Sequence, residues 1–304
     1  MEDGVLERFA YEERTVCICG QSLSDSVGYV CKKYPWGAVK FVRCKSCGSW
    51  CQSPQIALES LKKWFDSPDY QGSASKRGIA YVNYLDDESS RLEDARSRYG
   101  RDLMGFLPRR SRVLELGCAT GTLLSVLRDY HGCEVTGLDL SPKFVAEAKD
   151  RYNIDVLLGD LNNFGLPENY FDSIILLGTI GNLQNLHQYL IRFRKLLKHT
   201  GLLIFNYTDA ESPIVKYLYR SKLWMFSPSV NCFMSNKGCR AALDQAGFHL
   251  VSIRNDKQRP SLQKLLNHAR LNSALPLLKF FRLEHISLPI AMPIPSVKLV
   301  KAKC

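Results

Sequence analysis

The 304-residue sequence has no apolar run long enough to cross a membrane; stretches such as Ser173 to Ile180 stop well short of the roughly 20 residues a spanning helix needs. Met1 to Ala10 is acidic and mixed, with neither a basic n-region nor an apolar h-region, so no export signal or transit peptide is expected. Internal repeats and low-complexity tracts are also missing. Cysteine is not scarce, but the 11 cysteines are odd in number and sit in a long chain without an export signal, which argues against a disulfide scaffold. Reduced thiols, some of them on a metal, fit better, and a soluble cytoplasmic protein is the expectation.

What is present suffices for one α/β core and a small appendage, since 45% of the residues are hydrophobic. The net charge of +11 is unevenly placed: residues 1–70 hold 9 basic and 9 acidic side chains, whereas residues 210–304 hold 15 and 4. A positive field confined to the last third points to an anionic partner, such as a phosphate-bearing substrate, a membrane surface or RNA. A plain solvated basic face is the alternative.

Residues 15–52 are punctuated by cysteine, glycine and serine, with short alternations such as Tyr29-Val30-Cys31 that suit small hairpins. From about 53 to 110 the pattern becomes helical and polar, with Ile56, Leu58, Leu61, Trp64 and Phe65 forming one apolar stripe. Helices that lead into the main domain and cover its cleft are expected there. From 111 onward, apolar runs beginning at Arg112, Glu134, Asp155, Ser173 and Leu202 alternate with amphipathic segments, which implies βαβ units and a parallel, doubly wound sheet. Leu186, Leu190, Phe193, Leu196 and Leu197 show helical spacing, and Gly201 follows as a stop. Later, Ser235 can cap a helix through Ala246, Gly247 to Ile253 reads as a strand, and a last strand is expected at Val297 to Lys301. The fold class is therefore α/β: a Rossmann-like sheet over 111–304 with a long insertion at about 254–295, a helical linker or cap over 53–110, and a cysteine-rich module over 1–52. A connection of about 40 residues usually faces a substrate or partner. Within it, Ser261 to Leu283 is basic and amphipathic, suited to an anionic membrane or to packing on its own domain.

The first of these strands runs into Glu115-Leu116-Gly117-Cys118-Ala119-Thr120-Gly121 and then a helix. Glycines at such a turn let backbone approach a ligand and aim helix amides at it. Asp139 ends the next strand, 22 positions after Gly117, where doubly wound folds receive ribose hydroxyls. The turn is not the G-x-G-x-x-G that cradles a pyrophosphate, and Glu115 beside it would repel one. A cationic sulfonium cofactor has no phosphate to repel.

At this point the chain resembles the class I S-adenosylmethionine-dependent methyltransferases, whose first motif, E/D-x-G-x-G-x-G, matches Glu115 to Gly121 with Ala119 in place of the middle glycine. Gly137-Leu138-Asp139-Leu140-Ser141, Gly159-Asp160-Leu161, Tyr170 to Ile174 and Leu196 to Gly201 match further motifs in order. The resemblance implies that Glu115, Gly117, Cys118 and Gly121 line the methionine moiety. It further implies that Asp139 and Leu140 meet the ribose and that Asp160 and Leu161 face the adenine.

Cys44-Lys45-Ser46-Cys47-Gly48 is a C-x-x-C knuckle, and Cys17-Ile18-Cys19-Gly20 is the pair upstream. Two such pairs brought together by a hairpin supply the tetrahedron of soft ligands that Zn²⁺ requires. The single-residue spacing of the first pair leaves open that Cys31 or Cys51 replaces one ligand, or that these are core cysteines without a metal. The segment resembles the N-terminal zinc-binding module ahead of certain sugar and polysaccharide-biosynthesis methyltransferases, with Arg43, Gly48, Pro54 and the helix from Ile56 following that plan.

Methyl transfer is an in-line displacement that needs a base only when the acceptor carries a proton, so no triad is required. The Glu-His pair of the resembled families is replaced here by Gly181-Asn182. The ends of strands four and five border the cleft in such sheets, which makes Asn182, Tyr207 and Asp209 the acceptor-side candidates, with His187 and Asn206 nearby. Asn206 and Tyr207 could position a hydroxyl, and Asp209 could take its proton. The expectation is methylation of a small-molecule or glycan-type acceptor, anionic and nucleotide- or lipid-linked, with peripheral membrane contact through the basic last third. Two other functions fit the same features: an RNA methyltransferase, given a zinc ribbon plus positive charge, and a non-catalytic scaffold that keeps the cofactor fold.

Overall fold

The structure, a computed structural model, describes residues 9–34, 37–67, 85, 88–98, 103, 107–213, 215, 227–258 and 292–304. Its main sheet has seven strands: β6 (Arg112–Leu116), β7 (Glu134–Asp139), β8 (Val156–Leu158), β9 (Phe171–Leu176), β10 (Leu197–Thr208), β12 (His249–Gln258) and β13 (Met292–Lys303). They lie in the order β12-β13-β10-β9-β6-β7-β8. Five are mutually parallel, from β10 across to β8. The last strand differs from a uniformly parallel sheet: β13 slots between β10 and β12 and is antiparallel to both. It is also longer than the expected Val297 to Lys301.

The chain leaves β6 outward through β7 and β8, then returns to the other side of β6 at β9. That reversal opens a crevice at the carboxyl ends of β6 and β9, where ligands bind in open α/β sheets. Helices α3 (Thr122–His131), α4 (Pro142–Tyr152), α5 (Leu186–Leu196) and α6 (Asn236–Gln245) cover the faces. Their ends follow local chemistry. Ser141 caps α4 through the Phe144 amide, with Pro142 in the first turn, and Ser235 caps α6 through the Gly238 amide. Gly132 and Asn153 close α3 and α4 in the left-handed conformation.

Strand alternation sorts the core. Leu114, Leu116, Ile174, Leu203 and Phe205 pack toward α5 and α6, with Leu190, Phe193 and Leu243. Val113, Ile175, Leu202 and Ile204 pack on the other face, with Leu127, Leu103 and Ala95. Each such side chain contributes about 1.5–3 kcal/mol on full burial. Ala95 belongs to α2 (Glu88–Arg98), so the segment before the sheet supplies part of that second layer.

The N-terminal part forms β1 (Tyr11–Glu12), β2 (Tyr29–Tyr34), β3 (Gly37–Arg43), β4 (Trp50–Gln52), β5 (Gln55–Ile56) and α1 (Leu58–Asp66). Ile56 pairs with Tyr11 as strand, so the apolar stripe expected from Ile56 begins as β5 and becomes helix at Leu58. Leu61 and Trp64 are its buried members within α1. The sheet β11-β4-β3-β2 takes its edge strand, β11 (Cys232–Phe233), from far down the chain. Most of the long insertion, with the amphipathic stretch Ser261 to Leu283, lies outside the described residues.

Candidate cofactor and acceptor site

The turn after β6 is built by close approach. Gly117 (φ 71°) and Gly121 (φ 73°) are left-handed, and a Cβ on Gly117 would collide with the Thr179 side chain. Ala119 is also left-handed (φ 48°), a conformation that costs an L-residue roughly 1–2 kcal/mol. Its amide donates to Asp139 Oδ2 at 2.8 Å, which offsets the strain, and Ser141 N donates to Oδ1 at 2.9 Å. Asp139 thus ties the turn to the end of β7. Burial nevertheless pushes its carboxyl above the ordinary value, because those two amides only partly replace water.

Glu115 is 5% exposed, and its Oε2 receives no hydrogen bond from the described residues. Burial, reinforced by the charge of Asp139 and opposed by Arg98, pushes its carboxyl up to about 8. Cys118 and Leu161 are buried beside this crevice, and burial pushes the Cys118 thiol up as well. Leu140 is half-buried. Asp160 caps the short turn Leu161–Asn163 through the Asn162 amide at 2.9 Å, and the Tyr189 hydroxyl of α5 donates to its other oxygen.

Two carboxylates from the segment before the sheet reach this site, and neither is visible in the sequence pattern. Glu88 accepts from Thr120 Oγ1 at 3.0 Å, from Thr122 Oγ1 and from Tyr152 OH at 2.6 Å, at the amino end of α3. Burial works against its ionisation, but Arg91 and these hydroxyls hold its carboxyl below the usual range. Asp66 at the end of α1 accepts from Ser141 Oγ at 3.2 Å. α2 also sends Arg98 to Asp256 Oδ1 at 2.7 Å, and Asp256 accepts from Asn206 Nδ2 at 2.9 Å. Asn206 in turn accepts from the Gly178 amide at 2.6 Å. Asn206 is therefore committed to bracing the turn after β9.

On the acceptor side, Asn182 lies in the short turn Ile180–Asn182, and its carbonyl accepts from Asn231 Nδ2 at 2.9 Å. Tyr207 faces α6, with its hydroxyl donating to Asn236 Oδ1 at 2.8 Å. Asp209 is buried, accepts from the Glu211 amide at 3.0 Å and lies 3.6 Å from Lys298 Nζ. His187 is exposed on α5.

Cys17, Cys19, Cys44 and Cys47 are all buried, with their sulfurs within 4.8 Å of one another. Cys17 and Cys47 are 3.5 Å apart, and Cys19 and Cys44 3.8 Å. A tetrahedral zinc with bonds of about 2.3 Å needs sulfurs about 3.8 Å apart, so four soft thiols at this spacing fit the ion. Cys31 is exposed on β2, whereas Cys51 is buried with its sulfur 3.7 Å from that of Cys17. The α6 cap is joined to this cluster: Ser235 Oγ donates to the Cys47 carbonyl, and Ser235 N donates to Ser49 Oγ at 3.0 Å.

A family profile described as a methyltransferase domain matches residues 84–253, more than half of the chain. The chain belongs to this methyltransferase family. It is 32% identical over 185 residues to a malonyl-[acyl-carrier protein] O-methyltransferase of Enterobacter lignolyticus, covering 59% of this chain and 68% of that one. It is 30% identical over 193 residues to a 27-O-demethylrifamycin SV methyltransferase of Amycolatopsis mediterranei, covering 60% and 71%. The fold is shared with a SAM-dependent methyltransferase of Archaeoglobus fulgidus (TM-score 0.51, 19% identity, 73% and 99% covered). It is also shared with the magnesium protoporphyrin IX methyltransferase of Synechocystis, solved with bound SAH (TM-score 0.50, 16% identity, 81% and 99% covered). The family match and the sequence relatives make this chain an S-adenosylmethionine-dependent methyltransferase. Among its described residues, no helix is long and apolar enough to cross a membrane.

Proposed function

We propose that the protein methylates a small-molecule acceptor, anionic or glycan-type, at the crevice between β6 and β9. The observation that carries this reading is the row of carboxylates Glu115, Asp139 and Asp160 at the ends of three adjacent parallel strands, with one buried Glu115 oxygen that has no donor among the described residues. Such a row suits a cofactor with a positive charge, an amino group and ribose hydroxyls, and repels a pyrophosphate. The donor supplies an electrophilic methyl group. Glu115 and the Gly117 to Gly121 turn hold its methionine end, Asp139 with Leu140 the ribose, and Asp160 with Leu161 the adenine.

On the acceptor side, Asn182 at the turn after β9 offers an amide to orient the substrate. Asp209 accepts the acceptor's proton, with Lys298 Nζ 3.6 Å from its carboxylate. Burial raises the Tyr207 phenol far above neutral pH, so Tyr207 serves as a hydrogen-bonding wall and not as a base. The named relatives include two that methylate oxygen in small or carrier-bound substrates, which supports an oxygen acceptor. The basic last third favours one carrying phosphate or carboxylate, or one presented at an anionic membrane surface. Cys17, Cys19, Cys44 and Cys47 hold a structural Zn²⁺.

The test is calorimetric titration with S-adenosylmethionine and S-adenosylhomocysteine, on wild type and Asp139→Ala, followed by an acceptor screen of acyl carriers, nucleotide sugars, glycans and RNA. Micromolar binding lost in the variant, with transfer to a small acceptor, is the expected result. Transfer to RNA that weakens steeply with salt would replace the small-molecule reading.

A further inference from the structure

We propose that Cys51 and Cys232 are a redox pair, which a small hydroperoxide closes into a disulfide while the neighbouring four thiols stay on their ion. The second half of that statement rests on the zinc reading; the first rests on strand geometry alone. Cys51 in β4 and Cys232 in β11 are direct partners in an antiparallel ladder, with sulfurs 3.8 Å apart. The Gln52 amide bonds to the Asn231 carbonyl at 2.8 Å, which makes Cys51 and Cys232 a non-hydrogen-bonded pair. At such positions the Cα atoms approach to about 4.5 Å, inside the range of about 4.4–6.8 Å that a disulfide spans. Closing the bond needs side-chain rotation and little backbone movement.

Cys17, at 3.7 Å, is the sulfur that rivals Cys232 for Cys51. When Cys17, Cys19, Cys44 and Cys47 are shared with a metal, they have no free thiol to offer, and Cys31 is exposed elsewhere on β2. The bound ion therefore removes the near rival, and without it the ladder pairing still favours Cys232 over Cys17. Cys232 is on the edge strand of its sheet and 5% exposed, whereas Cys51 is fully buried, so a water-sized peroxide meets Cys232 first.

The chemistry balances. The Cys232 sulfur attacks one oxygen of hydrogen peroxide, the O–O bond breaks, and a sulfenic acid and one water result; the Cys51 sulfur then displaces the hydroxyl as a second water. Two thiols are oxidised to one disulfide, and one peroxide is reduced to two waters. The bond would join residues 181 apart, fastening the cysteine-bearing sheet to the segment that leads into α6.

The experiment treats the full-length, zinc-assayed protein with a modest excess of hydrogen peroxide, alkylates the remaining thiols and maps peptides by mass spectrometry. The expected result is a Cys51–Cys232 crosslink, loss of two alkylatable thiols, unchanged zinc content and a higher unfolding midpoint, with no crosslink in Cys232→Ala. A disulfide among Cys17, Cys19, Cys44 and Cys47 with zinc released first would overturn the proposal, as would Cys51 and Cys232 both remaining alkylatable. Protein that purifies without zinc would refute the zinc reading separately. In that material, Cys17–Cys51 forming ahead of Cys51–Cys232 would overturn the strand-geometry argument as well.

Discussion

Replacing Glu115 with Gln keeps the side chain's shape and removes its charge, so it isolates what that buried acid costs the unliganded protein. In the folded chain the carboxyl keeps its proton up to about pH 8, because burial and Asp139 oppose ionisation more than Arg98 favours it. In the unfolded chain it loses the proton near an ordinary value of about 4.3. Between those limits the folded state binds more protons than the unfolded state, so stability falls as pH rises. Each tenfold change is worth about 1.4 kcal/mol. The full window sets a ceiling of about 5 kcal/mol; the part of it above pH 5.5 spans about 3.4 kcal/mol, and relaxation around the charge brings the effect expected there to about 2–3 kcal/mol. Gln has no such dependence. Urea unfolding of both unliganded proteins at pH 5.5 and 8.5 should therefore show the variant gaining on wild type by that amount at the higher pH. Parallel pH dependence of the two would refute the reasoning. Binding of the cationic cofactor should reverse the ranking, since it favours the charged form. Wild type should release a proton on binding near pH 7, seen as a dependence of the calorimetric enthalpy on buffer ionisation, and Glu115→Gln should release none and bind at least roughly tenfold more weakly.

Gly117→Ala places a Cβ against Thr179 at a left-handed position, and should cost about 2–3 kcal/mol in denaturant unfolding, with weaker cofactor binding. Thr179→Ala in the same chain should recover part of the loss. Asp256→Ala removes the buried partner of Arg98 and Asn206 and should cost about 3 kcal/mol by urea melt, while Asp94 keeps one ion pair to Arg98. Cys44→Ser should lower the zinc content measured by a colorimetric chelator assay from one per chain to near zero. Ser235→Ala should cost about 1–2 kcal/mol by thermal melt, because one hydroxyl both caps α6 and donates to the Cys47 carbonyl.

The elements that local pattern reveals are those whose partners are close in sequence or whose packing repeats with a fixed period. The strands from Arg112 to Phe205, the helix over Leu186 to Leu196 and the Ser235 cap are of this kind. The reversed β13 is not, because antiparallel and parallel pairing leave the same apolar run at Val297 to Lys301. Strand β11 is only two residues long and carries no period. Glu88 and Arg98 were illegible for a different reason: Glu88 meets a hydroxyl 32 residues away, and Arg98 meets a carboxylate 158 away. One clue to the latter network was present. Asn206 interrupts a strand that is otherwise apolar from Leu202 to Tyr207, and a buried amide needs partners that such a strand does not itself provide.

The same alternation bears on how the cysteine cluster could matter to chemistry some distance from it. Tyr207, one position on from Asn206, faces α6, and its hydroxyl ends on Asn236, the first residue after the Ser235 cap. Ser235 is held through Ser49 Oγ and the Cys47 carbonyl, and Asp209 bridges to Met234, just before that cap. Two of the three acceptor-side candidates are thus fixed by residues 234–236, and those residues are fixed by the knuckle that presents Cys47. Asp139 and Asp160 are held elsewhere: their partners among the described residues are in the turns after β6, β7 and β8 and in α5. A metal that orders the knuckle should therefore support acceptor turnover more than cofactor affinity. Chelation that abolished both to the same extent would mean that the whole sheet, and not this chain of contacts, depends on the ion.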